Sequence, residues 1–331
     1  MRCVLVDPYA TRNADKLAAS LTTPWEIRSV ALQDPDGMLM DTLSTADAAI
    51  SQAWTQRLGG KAAKLRFLQL PNAGTDALDW DAISERCTVC NVFEHETAVA
   101  EFVLLTMLEF RIDLHGLDRS MRGGDWSRSH VSFGPLHGEL AGATVGLIGY
   151  GRIAQAVAKR AAAFGMTVAA VSRRKSEDPV LEWSGRMTAL DAMLPRCDFI
   201  VIACPLTTET RGLIDARRLT LMQDSAVLIN IARGELVDES ALFAALSDRK
   251  IAGAALDVWW RYPDDDDPAP RPSRFPFWDL PNVLMTPHVA AWTDGMLSRR
   301  WKKIAANLDR FANGEPLENV VRRPKSGGPP A

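Results

Sequence analysis

The stretch that decides the fold is Val145-Gly146-Leu147-Ile148-Gly149-Tyr150-Gly151-Arg152-Ile153-Ala154. An aliphatic run ends on a glycine, and an alanine-rich segment with helical spacing follows at 152–164. Strand, glycine turn and helix form the context in which G-x-G-x-x-G/A reads as a dinucleotide-binding turn. Gly149 permits the tight turn, and Gly151 lets the backbone approach a pyrophosphate. The helix start then offers unpaired N–H groups and a positive dipole end to that anion. Ala154 stands for the third glycine and still allows close packing of helix on strand. Tyr150, Arg152 and Ile153 belong to the same turn and are expected at the nucleotide.

Reading outward, the next apolar run, 167–171, leads into Ser172-Arg173-Arg174-Lys175. NAD sites usually place Asp or Glu here to accept from the ribose 2′-hydroxyl. No carboxylate occurs before Glu177. Two guanidiniums and an ammonium suit a 2′-phosphate, and Ser172 can donate to it, so NADP(H) is expected in preference to NAD(H). Apolar runs at 199–203, 227–230, 253–257 and 283–285, separated by helical stretches such as 239–246, complete a doubly wound α/β domain.

The remainder reads as a second body, and 331 residues are comfortable for two cores. Runs at 3–6, ended by Asp7-Pro8, and at 65–70, closed by Pro71, alternate with helix-like segments, the pattern of βαβ units. Residues 97–114 read as one long helix, apolar on most faces and therefore buried between two bodies. A Gly-, Ser- and His-rich loop at 116–138 is expected to carry the crossing between domains. Residues 296–311 form a further helix, with Trp301, Ile304 and Leu308 near helical spacing. The Pro- and Gly-rich 322–331 should fray.

A net charge of −3 argues against a nucleic-acid partner. The longest apolar stretch, 98–112, is too short for a membrane span and is interrupted by Glu101 and Glu109. The opening MRCVLVDPYA lacks a secretory h-region. Five cysteines, an odd number spread over the chain, suggest reduced thiols and a cytoplasmic setting. Cys87 and Cys90 form a C-x-x-C without a second pair or histidine cluster, so they read as thiols beside a buried strand, and no metal site is expected. The acidic 264–267 reads as a solvated loop.

Three more stretches accompany the nucleotide turn: Pro205-Leu206-Thr207-Thr208-Glu209-Thr210; Asn230-Ile231-Ala232-Arg233-Gly234-Glu235-Leu236-Val237-Asp238; and Thr286-Pro287-His288. In this order and at these separations the chain resembles the D-isomer-specific 2-hydroxyacid dehydrogenase family, most strongly from 140 to 292. The resemblance implies a Rossmann doubly wound nucleotide domain, 116–289, inserted into a smaller flavodoxin-like substrate domain, 1–115 with 290–331. It also implies an active site in the cleft between the domains, two-fold homodimers, and a small 2-oxo or 2-hydroxy acid substrate, with glyoxylate or hydroxypyruvate as first guesses. Cys204, Pro205, Thr210, Ile231 and Ala232 would line the cofactor. Asp257 would lie near the nicotinamide and orient its carboxamide.

Reducing a 2-oxo acid requires the carboxylate anchored, the carbonyl polarised and a proton supplied. Arg233 matches the family arginine, whose forked donors suit carboxylate and carbonyl oxygen. His288 matches the general acid/base, with a pKa near neutrality. One expected residue is missing: the family glutamate five positions after the aspartate is Tyr262 here. A neutral phenol cannot raise the imidazole pKa as a carboxylate would, so His288 should titrate low. Asp264, in the following loop, is an alternative partner. In the first domain, Leu70-Pro71-Asn72-Ala73-Gly74-Thr75-Asp76 resembles the loop that holds the substrate. Ala73 and Gly74 are the best candidates there, and Thr75 or Asp76 reads equally as a helix cap. His95 is a further candidate substrate contact. Trp259, Trp260 and Trp292 read as core packing or a pocket wall. Because formate dehydrogenase, a relative, also lacks the glutamate, an unusual oxyanion substrate stays open, as does a non-catalytic NADP(H)-binding or scaffold role.

Overall fold

A computed structural model describes residues 1–264 and 266–324. It divides into two compact units, Met1–His95 with Thr293–Ala331, and Glu96–Trp292.

The first unit is built on β1 (Arg2–Leu5), β2 (Glu26–Ser29), β3 (Ala48–Ile50), β4 (Phe67–Gln69) and β5 (Thr88–Cys90). These strands are parallel in the order 2-1-3-4-5, with Val320–Arg322 added antiparallel beside β5. That order is flavodoxin-like. The inner strands are apolar on both faces, as a parallel sheet covered on two sides demands. Val4, Ala49 and Leu68 face one layer with Leu43 and Trp54. Cys3, Leu5, Ile50 and Phe67 face the other, where Trp301, Ile304 and Leu308 of the helix Asp294–Ala312 are fully buried. Thr293 caps that helix by accepting from the Met296 N–H at 3.1 Å.

The second unit carries β6 (Thr144–Ile148), β7 (Thr167–Ser172), β8 (Trp183–Arg186), β9 (Phe199–Ile202), β10 (Val227–Asn230), β11 (Gly253–Leu256) and β12 (Val283–Met285). All are parallel, in the order β12-β11-β10-β9-β6-β7-β8. Counted from β6 this is the dinucleotide-binding order 3-2-1-4-5-6 with one further edge strand. The strand order reverses between β6 and β9, and ligands of such sheets bind at the carboxyl ends beside that point.

The unit boundaries fall at 95/96 and 292/293 rather than at the expected 115/116 and 289/290. The cause is packing. The helix Glu96–Ile112 lays Val99, Ala100, Val103, Leu104 and Met107 against Ala154, Val157, Ala158 and Ala161 of the helix Arg152–Ala163, so it belongs with the nucleotide sheet. It also stops earlier than periodicity suggested. Asp113 turns left-handed, with φ 55°, and its carboxylate caps a separate helix, Leu114–Arg122, inside the expected loop. No helix follows Asp76; a 3-10 turn, Trp80–Ala82, comes next and is capped by Asp79. Arg322 closes a strand instead of fraying, and the rest of the expected frayed tail, 325–331, lies outside the described residues.

All five cysteines are buried and unpaired. Burial pushes the Cys87 and Cys90 thiols up to about 12. Among the described residues there is no cluster of metal-ligating side chains, and no helix is long and apolar enough to cross a membrane.

Candidate active site

The nucleotide turn is shaped by what its glycines must avoid. Gly149 has φ +91°, and a Cβ there would meet the Cys204 Cα and N at 2.8 Å, so only glycine lets the ends of β6 and β9 approach. A Cβ on Gly151 would meet nothing within 4 Å, and Gly151 starts the helix Arg152–Ala163 with no side-chain cap. The space beside Gly151 lies at the positive end of the dipole of that helix, a cradle that fits a pyrophosphate. Ala154 is fully buried against the sheet. The Tyr150 hydroxyl donates to Asp178 at 2.9 Å, which together with burial raises its pKa. Arg152 lies 4.0 Å from Glu96, and Ile153 is partly buried on the apolar layer below.

At the end of β7, Arg173 and Arg174 are exposed. The Ser172 hydroxyl donates to the Arg174 carbonyl, so it folds the turn, contrary to the expectation that it is available to a phosphate. Ser172 pairs in register with Arg186 of β8, which adds a cation that the sequence reading missed. Its signal lies in the neighbouring strand, invisible without the pairing.

The loops after β9 and β10 are held by their own polar side chains. The Thr210 hydroxyl donates to the Pro205 carbonyl at 2.8 Å and accepts from the Thr207 N–H at 2.7 Å, so the P-L-T-x-x-T segment closes on itself. Cys204 is buried, and its thiol is pushed up to about 11. Fully buried Asn230 donates to the Arg233 carbonyl at 2.8 Å and accepts from the Ala232 N–H at 3.1 Å, which fixes Ile231-Ala232-Arg233. The Arg233 guanidinium reaches its own loop at the Ala232 carbonyl, 2.7 Å away. A Cβ on Gly234 would lie 2.4 Å from the Trp259 carbonyl, so this loop and the one after β11 are pressed backbone to backbone.

Asp257 is 2 % exposed, and both its oxygens are engaged. Oδ1 accepts from the Thr286 hydroxyl at 2.7 Å and the Val289 N–H at 2.8 Å, and Oδ2 accepts from the Ala290 N–H at 2.9 Å. In this structure Asp257 clamps the loop that bears His288. His288 itself sits left-handed, φ 59°, a conformation uncommon outside glycine. Its Nδ1 is 3.0 Å from the Tyr262 hydroxyl, which also accepts from the Trp259 N–H at 3.2 Å. Asp264 instead accepts from the Asp266 and Asp267 N–H groups of its own loop; Asp265 lies outside the described residues. Desolvation lowers the His288 pKa, Asp257 opposes this, and Arg233 adds to the lowering. Trp259 and Trp260 are structural: their indole N–H groups donate to Thr286 and Val237 carbonyls, and Trp260 stacks on buried Phe277 at 5.5 Å. Trp292, by contrast, is 57 % exposed.

In the first unit, the Asn91 side chain donates to the Ala73 carbonyl at 2.8 Å, and the Val92 N–H donates to the Asn72 carbonyl, so the segment bearing Ala73 and Gly74 is tethered. His95 follows Glu94, which has φ 74°. Buried Arg300 donates to the Phe93 carbonyl, the Tyr9 hydroxyl and, at 3.3 Å, His95 Nδ1. Sequence reasoning passed over Arg300, which sits on the C-terminal helix far along the chain.

A parallel sheet whose strand order reverses at a glycine turn, with an arginine after β10 and a histidine after β12 on either side of the Asp257 strand end, has the layout of a nicotinamide-dependent oxidoreductase. The model of the D-isomer specific 2-hydroxyacid dehydrogenase NAD-binding domain matches residues 104–290. The chain is 34 % identical over 299 residues to a glyoxylate reductase of Thermococcus gammatolerans, covering 87 % of this chain and 86 % of the relative. It is 35 % identical to a glycerate dehydrogenase of Methylorubrum extorquens, covering 78 % and 79 %. A solved NADPH-dependent glyoxylate/hydroxypyruvate reductase of Sinorhizobium meliloti, in complex with NADP and sulfate, superposes with a TM-score of 0.80 at 28 % identity over 97 % and 98 % of the two chains. The chain belongs to the D-isomer specific 2-hydroxyacid dehydrogenase family, as an NAD(P)-dependent enzyme.

Proposed function

We propose that this enzyme reduces a small 2-oxo acid, glyoxylate or hydroxypyruvate in the first instance, to the D-2-hydroxy acid with NADPH as the preferred reductant. The observation that carries the reading is the loop of His288, held by Asp257 beside the tightly pinned Arg233 loop. A bound nicotinamide supplies the hydride that reaches the carbonyl carbon. Arg233 anchors the carboxylate and draws charge onto the carbonyl oxygen. His288 delivers the proton to that oxygen as its bond to carbon becomes single. Ala73, Gly74 and His95 are assigned to the substrate, with backbone N–H groups meeting its carboxylate. Gly149, Tyr150, Gly151, Arg152, Ile153, Cys204, Pro205, Thr210, Ile231 and Ala232 are assigned to the cofactor, and Asp257 to the nicotinamide side through the loop that it orders. Arg173 and Arg174, with Arg186 nearby, favour a 2′-phosphate. The names of the archaeal relatives and the NADP in the Sinorhizobium neighbour support the substrate and cofactor assignments. A homodimer is part of the proposal, supported by the apolar surface of 114–136.

The test follows loss of NADPH and NADH absorbance with a panel of 2-oxo acids across pH. Turnover with NADPH that is abolished in His288→Ala and Arg233→Ala is the expected result. Tight NADPH binding without turnover of any 2-oxo acid, or of formate in the reverse direction, would replace the proposal with a non-catalytic binding role.

A further inference from the structure

We propose that Tyr262 is a positioning residue that fixes neutral His288 as the tautomer protonated on Nε2. The site then meets a substrate oxygen with a hydrogen-bond donor without a charged imidazole. The inference rests on the reading of His288 as the group that faces that oxygen. A phenol carries one hydrogen and two lone pairs. The Tyr262 oxygen accepts from the Trp259 N–H at 3.2 Å, which occupies one lone pair and favours the arrangement in which the O–H is directed at His288 Nδ1, 3.0 Å away. Nδ1 is then an acceptor, and in a neutral ring the proton must reside on Nε2.

A carboxylate at this position would do the reverse. It would accept from Nδ1–H and leave Nε2 bare when the ring is neutral. Tyr262 therefore changes which neutral form faces the substrate. A donor binds and polarises the carbonyl of a 2-oxo acid before the ring takes up the second proton that delivery to the oxygen requires. A 2-hydroxy acid awaiting oxidation needs a bare nitrogen to take its proton, and the Tyr262 bond must break to provide one. Charging the ring has the same cost, because Nδ1–H must then donate to the phenol, whose own hydrogen turns outward; Tyr262 is 41 % exposed, so water can receive it. Burial, which strips water from the ring, is what keeps it neutral against the charges nearby. Arg233 disfavours the cation, Asp257 favours it, and Glu235 acts on Tyr262, whose own ionisation burial opposes.

The experiment uses the full chain labelled with ¹⁵N-histidine and two-bond ¹H–¹⁵N spectra at a pH where His288 is neutral, with its signals assigned by their loss in His288→Gln. The wild type should show a bare Nδ1 and a protonated Nε2. Tyr262→Phe should relax this to a mixture of tautomers. Tyr262→Glu should move the proton to Nδ1 and raise the titration midpoint by about 1–3 units. A protonated Nδ1 in the wild type, or an unchanged spectrum in Tyr262→Phe, overturns the proposal. The spectra need no turnover, so a chain that fails to reduce 2-oxo acids would overturn the assigned function while leaving this result to stand or fall separately.

Discussion

Asp257 shows how one side chain can serve a site through the backbone. Its carboxylate receives three hydrogen bonds from the segment 286–290, and that segment holds His288 in a left-handed conformation. Replacing Asp257 with Asn puts an amide N–H₂ against N–H donors. Stability should fall by about 1–3 kcal/mol, the cost of leaving buried groups unpaired, readable by denaturant titration. The same change removes the negative charge that raises the His288 pKa, so the pKa falls further. Proton delivery requires the imidazolium, so the alkaline limb of 2-oxo acid reduction should move to lower pH in Asp257→Asn, and an upward movement would contradict the assignment. Arg233→Ala should lower kcat/KM by about 100-fold or more through loss of carbonyl polarisation, measured with a saturating cofactor. Arg233 and His288 could be picked out as candidates from the sequence because their motifs lie on contiguous residues. The clamp by Asp257 and the contact of Arg300 with His95 could not, because each joins residues far apart in the chain and depends on side-chain direction.

Among the elements, the strands that carry an aliphatic run in the nucleotide unit were the most readable. β10 and β12 begin and end where their apolar runs do, and β6, β7, β9 and β11 differ by a residue at one end. Two edge strands escaped. β2 reads Glu-Ile-Arg-Ser and β8 reads Trp-Ser-Gly-Arg, sequences with no apolar run to betray them, since an edge needs only one covered face. β8 matters because its last residue, Arg186, pairs with Ser172 and enlarges the positive surface at the end of β7. If Arg173 and Arg174 hold a 2′-phosphate, each contributes a charge-assisted hydrogen bond of about 1.5–3 kcal/mol. Both lie exposed, so screening reduces this, and Arg173→Ala with Arg174→Ala should weaken NADPH binding by roughly 10–100-fold. NADH, lacking the phosphate, should change little. Equal losses for the two cofactors would assign these arginines to the fold or the pyrophosphate instead.

For the whole molecule, the two sheet orders were legible as classes from the alternation of strands and helices, whereas the boundary between units was not. An all-round apolar helix such as Glu96–Ile112 announces burial without saying against which body. The segment after it poses the opposite problem. Leu114, Met121, Trp126 and Val131 are exposed, Phe133 is 96 % and Leu136 99 % exposed, and the helix Leu114–Arg122 buries no residue at all. A protein that stays monomeric in water rarely leaves so much apolar surface in one stretch, and a second copy supplies its complement under two-fold symmetry. Burying one large apolar side chain is worth about 1.5–3 kcal/mol, and the axis counts each residue twice. The double variant Phe133→Asp, Leu136→Asp should therefore weaken self-association at least roughly 100-fold. Light scattering after size exclusion should show dimer for the wild type and monomer for the variant at micromolar concentration. Retained NADPH binding in the variant would show that the nucleotide unit still folds. A wild type that elutes as a monomer would leave this apolar stretch to some other partner and remove the dimer from the proposal.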